Sequence, residues 1–212
     1  MKLYNFFRSG TSHRLRIALN LKGVNTEYVA VDLRVEEHLR EAYKGLNPQG
    51  LVPALVVDDK VLIQSPAIIE WLEEKYPTPA LLPSNVEDRA HVRALAAIMG
   101  CDIHPLNNRR ILEYLRKQFG ANEDAINAWC GTWITDGFNA YEALLAADRT
   151  RGAFSFGNAP SLADVYLIPQ IESSRRFKVD LTQWPLIAGV EAACLKLEAF
   201  QKAVPAHQPD AG

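Results

Sequence analysis

The first eighty residues alternate between short apolar runs and helical periodicities. Lys2-Leu3-Tyr4-Asn5-Phe6-Phe7 is rich in aromatic and aliphatic side chains and too short for anything but a strand. Arg14-Leu15-Arg16-Ile17-Ala18-Leu19-Asn20-Leu21 spaces its apolar residues as a helix does, and Gly23 supplies the stop. Thr26 to Val31 alternates like a second strand, and Glu36 to Leu46 reads as a short charged helix. Leu51 to Val57, an Asp58-Asp59 turn and Lys60 to Ile63 form a hairpin, with Pro53 at its mouth, where a missing N–H is tolerated. Pro66 to Tyr76 closes the series as a helix capped by Ser65.

Pro77-Thr78-Pro79 and Pro83-Ser84-Asn85 interrupt this pattern, and beyond them strands disappear. Helices are predicted over 88–101, 107–119, 123–147, 161–173 and 186–203, with Pro105 joining or kinking the first two. Ser161-Leu162-Ala163-Asp164 has the form of a capping box, and the stretch from Pro205 reads as loosely ordered. The expected architecture is α/β plus all-α, with a thioredoxin-like domain over 1–80 and an all-helical domain over 88–212.

Composition changes this picture little. A chain of 212 residues that is 48% hydrophobic has ample core material, and a net charge of −2 gives no reason to expect nucleic acid. No apolar run suits a membrane span and no secretory signal is recognisable, so a cytoplasmic protein is expected. Cys101, Cys130 and Cys194 are odd in number and lack metal-ligand spacing, and they read as buried thiols with no metal.

The candidate chemistry lies in Arg8-Ser9-Gly10-Thr11-Ser12, between the first strand and the first helix. Serine and threonine suit a helix start because their oxygens accept from unpaired amides there, and the same helix end favours an anion. A hydroxyl-rich turn is most often only a cap. Arg8 adds charge and Gly10 allows close backbone approach, and both raise the odds of a site.

The order of elements, with Val52-Pro53, Gln64-Ser65, the proline-rich linker and Ser161-x-x-Asp164, resembles the cytosolic glutathione transferases over the whole chain. Phe7 to Leu19, Gln64 to Glu70 and Arg176 to Leu181 are together similar to the zeta class. Many zeta members carry Ser-Ser-Cys-Ser where this chain has Ser9-Gly10-Thr11-Ser12, and the Gly-Thr form is similar to bacterial members acting on maleylpyruvate in gentisate breakdown. The resemblance implies a homodimer that uses glutathione to isomerise a maleyl keto acid. Maleylacetoacetate and a general conjugating activity remain as alternatives.

It also implies the site. Ser9, Gly10 and Thr11 would receive the glutathione sulfur, Val52 its cysteinyl peptide beside a cis Pro53, and Gln64 and Ser65 its γ-glutamyl carboxylate. His38 and Gln49 would meet the glycyl end, with His104, and less directly Asn108, as contacts reached across a dimer interface. A keto-acid dianion calls for arginine forks, and Arg8, Arg109, Arg110 and Arg176 are the candidates. Adjacent helical residues point about 100° apart, so one of Arg109 and Arg110 is expected to face the ligand, by family pattern Arg110. Ser9, Thr11, Arg8 and Arg176 are the catalytic candidates; Arg14 and Arg16 read as packing or surface charges.

Overall fold

The computed structural model of the chain describes residues 1–149 and 151–212 and divides into two compact units, 1–80 with 196–212 and 81–195. In the first, β1 (Lys2–Asn5), β2 (Glu27–Ala30), β3 (Ala54–Val57) and β4 (Lys60–Ile63) form one sheet in the order β2-β1-β3-β4. β1 runs parallel to β2 and antiparallel to β3, and β3 antiparallel to β4. The parallel pair needs a crossover, which α1 (Gly10–Leu21) supplies. α3 (Ser65–Lys75) packs beside α1, and Leu15, Ala18, Leu55, Ile68 and Leu72 are fully buried.

The predicted helix over 36–46 splits into a single turn at Glu37–Leu39 and the short α2 (Glu41–Lys44). Arg40 is extended between them, and the Glu37 carboxylate turns back to accept from the Asp32 amide at 2.7 Å. The sequence pattern carried the helix through because it holds neither glycine nor proline before Gly45.

The second unit contains α4 (Val86–Ala97), a wider turn over Ile98–Ile103, α5 (Arg109–Phe119), α6 (Glu123–Ala147), α7 (Leu162–Arg176) and α8 (Pro185–Cys194). Gly137 of α6 lies so close to Ile103 that a Cβ there would sit 2.4 Å from its Cδ1. The α7 start is fixed by Asp164, whose carboxylate accepts from the Ser161 amide at 2.7 Å, the Ser161 hydroxyl at 2.9 Å and the Ser155 amide at 2.8 Å. The Tyr141 hydroxyl in turn donates to Ser155 Oγ at 2.7 Å, so this buried polar cluster is closed.

The expectation of one helical domain over 88–212 requires correction. The predicted helix 186–203 breaks where Leu197 is extended, leaving α8 and a short α9 (Glu198–Gln201), and from Lys196 the chain groups with the first unit. The stretch from Pro205 is likewise not loose. Gln208 Nε2 donates to the carbonyls of Lys202 and Val204 at 2.8 and 2.9 Å, and Arg16 of α1 donates to that of Ala203.

Candidate active site

Sheet register gathers the first unit's candidates at one end. Ala54 pairs with both Tyr4 and Ile63, so the turn after β1, the segment before β3 and the segment after β4 all leave the same edge. Ser9, Val52-Pro53 and Gln64-Ser65 belong to those three segments.

Ser9 caps α1, its hydroxyl oxygen accepting from the Ser12 amide at 3.3 Å. Thr11 Oγ1 donates to the Val52 carbonyl at 2.9 Å, which commits the threonine proton, so in the 2.9 Å contact between the two hydroxyls Ser9 is the donor. Ser9 therefore has the proton that can swing to an incoming anion, while Thr11 is tied to the β3 entrance. Of the two hydroxyls expected to receive the sulfur, only that of Ser9 has a proton not committed to a backbone carbonyl. Gly10 and Thr11 N–H groups make no hydrogen bond among the described residues, as the first amides of a helix commonly do not. Arg8 is exposed at this turn, with its guanidinium carbon 6.0 Å from the centre of the Phe7 ring.

The Val52–Pro53 bond is cis, as the resemblance implied, and so is Thr78–Pro79, which nothing in the local pattern predicted. The Leu51 carbonyl is pinned by the Tyr43 hydroxyl and Asn47 Nδ2, each at 2.7 Å, and burial pushes the Tyr43 phenol up to about 12. Gln64 has a positive φ of 68° and donates through Nε2 to Gln49 Oε1 at 2.6 Å. Gly50 follows Gln49, and a Cβ on it would stand 2.9 Å from the His38 carbonyl, so His38, Gln49 and Gln64 are neighbours.

Ser65 is buried, and its hydroxyl accepts from Arg14 Nη1 at 3.3 Å. Arg14 is only 3% exposed. Arg14 therefore packs inside, beside the α3 start, which decides between the packing and surface roles that its place on the polar face of α1 had left open. Arg16 is also buried, in contacts described below.

In the second unit, His104 closes the turn after Ile103 and is half-buried. Asn108 caps α5, its Oδ1 accepting from the Arg110 amide at 3.0 Å, which gives it a structural duty. Arg109 and Arg110 are both exposed. Among the described residues the Arg110 guanidinium has no ion pair or hydrogen bond. At the end of α7 the two adjacent arginines differ. Arg175 forms a two-pronged pair with Glu191 at 2.7 and 2.6 Å, whereas Arg176 Nη2 donates to Ser173 Oγ at 3.0 Å. Cys130 relates Arg176 to the turn before α5, since its carbonyl accepts from Asn107 Nδ2 at 3.4 Å and its thiol feels the Arg176 charge.

Against the expectation of three buried thiols, Cys101 is exposed, while burial pushes the Cys130 thiol up to about 12 and raises Cys194 further. Neither buried sulfur is a thiolate at neutral pH. Replacing Cys101 by serine and the two buried cysteines by alanine is expected to leave glutathione-dependent turnover within about two-fold of the parent, as no cysteine side chain makes a hydrogen bond in the contacts above. Lost turnover in the folded triple variant would place the nucleophile in the protein. No group of side chains suited to a metal occurs among the described residues, nor any helix long and apolar enough to cross a membrane.

Residues 8–75 match the family described as glutathione S-transferase, N-terminal domain. The chain is 72% identical over 210 residues to a maleylpyruvate isomerase of Ralstonia sp., with 99% of each covered. It superposes with a TM-score of 0.99, at 72% identity and full coverage of both chains, on a structure described as holo maleylpyruvate isomerase, a bacterial glutathione S-transferase in zeta class. A maleylacetoacetate isomerase from Methylobacterium extorquens AM1, with bound malonate and glutathione, gives a TM-score of 0.96 at 34% identity, again covering all of both chains.

Proposed function

This chain belongs to the zeta class of the glutathione S-transferase family, and from that premise we propose that it is a glutathione-dependent cis–trans isomerase converting maleylpyruvate to fumarylpyruvate. The reading is carried by the Ser9 hydroxyl, which stands at the α1 start with a movable proton beside two unpaired amides. The 72% identity to a relative named for maleylpyruvate supports that substrate. Maleylacetoacetate, which also carries two carboxylates, is the second reading, favoured by the relative of that name.

A free thiol has a pKa of about 8.5, so little of it is thiolate at neutral pH. Ser9 and the Gly10 and Thr11 amides favour the ionised sulfur, each unit of lowering being worth about 1.4 kcal/mol. The thiolate adds to the olefinic carbon remote from the ketone. A C–S bond forms, the C=C pair moves through the conjugated system onto the ketone oxygen, and an enolate with a rotatable C–C bond remains. After rotation the enolate pair returns to make the trans double bond, and the C–S pair leaves on sulfur. No glutathione is consumed, which is covalent catalysis with a borrowed nucleophile.

The remaining assignments complete the reading. Val52 receives the cysteinyl peptide, Gln64 and Ser65 the γ-glutamyl carboxylate, and His38 and Gln49 the glycyl end. Arg8 steadies developing enolate charge, and Arg110 and Arg176 hold the keto-acid carboxylates. The active species is a cytoplasmic homodimer, to which His104 contributes a glutathione contact.

Ser9→Ala is expected to lower the turnover number at least ten-fold, about the worth of one charge-assisted hydrogen bond, while the lost α1 cap lowers the melting temperature by only a few degrees. Thr11→Ala is expected to cost less, because its proton serves the Val52 carbonyl. Unchanged turnover in Ser9→Ala would move the role to the backbone amides.

A further inference from the structure

The segment from Ala203 to Asp210 is fastened to the two residues that precede Arg8 and Ser9. Arg16, 5% exposed, does half of this. Its Nη2 donates to the Phe7 carbonyl at 2.8 Å and to the Ala203 carbonyl at 3.0 Å. Its Nη1 donates to Asn5 Oδ1 at 3.0 Å and to the Phe6 carbonyl at 3.4 Å, and its Nε again to Ala203 at 3.1 Å. One guanidinium thus holds the strand end, the turn and the start of the tail.

Asp210 supplies the other half. Its Oδ2 accepts from the Phe7 amide at 3.0 Å and its Oδ1 from the Tyr28 hydroxyl. Burial, and then the Asp210 contact, raise the Tyr28 phenol above its usual range, which keeps it the donor. Phe7 therefore has its amide held by a carboxylate and its carbonyl by a guanidinium, both from outside the turn. The Phe6 carbonyl also accepts from the Ser9 amide at 3.1 Å, so the grip passes directly to the residue bearing the movable proton.

Such a hub is an expensive way to secure a tail. Desolvation lowers the Arg16 guanidinium to about 10, and apolar packing at the same place would hold the segment without burying a charge. What charged, directional bonds supply in addition is a fixed peptide orientation. Catalysis at a hydroxyl is sensitive to that orientation, because about 1 Å of misplacement can cost two orders of magnitude.

We propose that Arg16 and Asp210 are positioning residues of the thiolate site, with the tail acting as a clamp that aims Ser9 and the α1 amides at the glutathione sulfur. The inference rests on the reading above that this turn receives the sulfur.

The test is a titration of glutathione bound to the full chain, following thiolate absorbance in the ultraviolet against pH, with kcat, KM and melting temperature measured on the same samples. In Asp210→Ala the bound thiol is expected to titrate about one unit higher, and kcat at neutral pH to fall roughly ten-fold while KM for glutathione stays within about two-fold. Asp210→Asn, which keeps an acceptor for the Phe7 amide, is expected to recover most of the loss. Tyr28→Phe removes one tie only and is expected to shift the titration in the same direction by less, so a poorly folding Asp210→Ala leaves the idea open to refutation. An unshifted thiol in the folded variants, whatever happens to the melting temperature, would make the clamp merely structural and overturn the proposal. Were the parent itself not to ionise glutathione, the functional reading would fall with it; a normal parent and unshifted variants sink the clamp alone.

Discussion

Replacing Arg176 by alanine is expected to raise the KM for the maleyl keto acid by over about a hundred-fold, and replacing it by lysine by only a few-fold. The range follows from roughly 1.5–3 kcal/mol for a charge-assisted hydrogen bond, with lysine keeping the charge and losing the planar fork. Glutathione affinity should stay nearly flat, because its carboxylates are assigned to Ser65 and the rest of the first unit. The neighbouring arginine provides the control. Arg175 is already engaged by Glu191, which raises its pKa through paired hydrogen bonds, so Arg175→Ala should leave KM unchanged. Steady-state kinetics on the four proteins decide the matter, and a glutathione KM that rises as steeply as that of the keto acid would defeat the carboxylate assignment.

Asp164→Ala is expected to cost about 3–5 kcal/mol of stability, because it strips one acceptor group from three buried donors at once. For a chain of this size that is a drop of about 10 °C in melting temperature. The pH dependence has an unusual sign. Burial raises the Asp164 pKa against the pull of its hydrogen bonds, so the native state holds the proton more tightly than the unfolded chain does. Its contribution is greatest below the unfolded value of about 3.9 and declines as pH rises from there through the native pKa. Denaturant midpoints of the parent and Asp164→Asn across the acid range should therefore show the parent's advantage shrinking with rising pH; an advantage that grows would mean a pKa lowered on folding.

Much of this molecule is legible from local pattern. The strand, helix and hairpin order of the first eighty residues emerged because each element has its own period and its own punctuation, Gly23 among them; Ser65, expected as the cap of the last helix, is instead its first residue, with Gln64 at the cap. The Ser161 and Asp164 cap emerged because the motif is contiguous. The site could be placed by resemblance only where chemistry sits in short runs, as at Ser9 to Ser12 and Gln64-Ser65. What escaped depends on distant partners. Arg14 and Arg16 could be read only as packing or surface charges until Ser65, Phe7 and Ala203 are brought against them, and no period along the chain encodes those contacts. The break after α8 and the return of the tail were equally hidden, since 186–203 is helical in composition and Leu197 turns extended without a glycine or proline. Thr11 illustrates the finest scale. Its residue type suggests a second donor to sulfur, and only the Val52 carbonyl at 2.9 Å reveals that its proton is already engaged.

The most direct measurement is the isomerisation of maleylpyruvate by the purified protein with and without glutathione, counting free thiol before and after, with maleylacetoacetate run in parallel. Conversion to the trans isomer that requires glutathione, continues for many turnovers per glutathione molecule, leaves the thiol count unchanged and favours maleylpyruvate is the expected result. Conversion that proceeds without glutathione, or that consumes one thiol for each molecule of substrate, would contradict a borrowed and returned nucleophile.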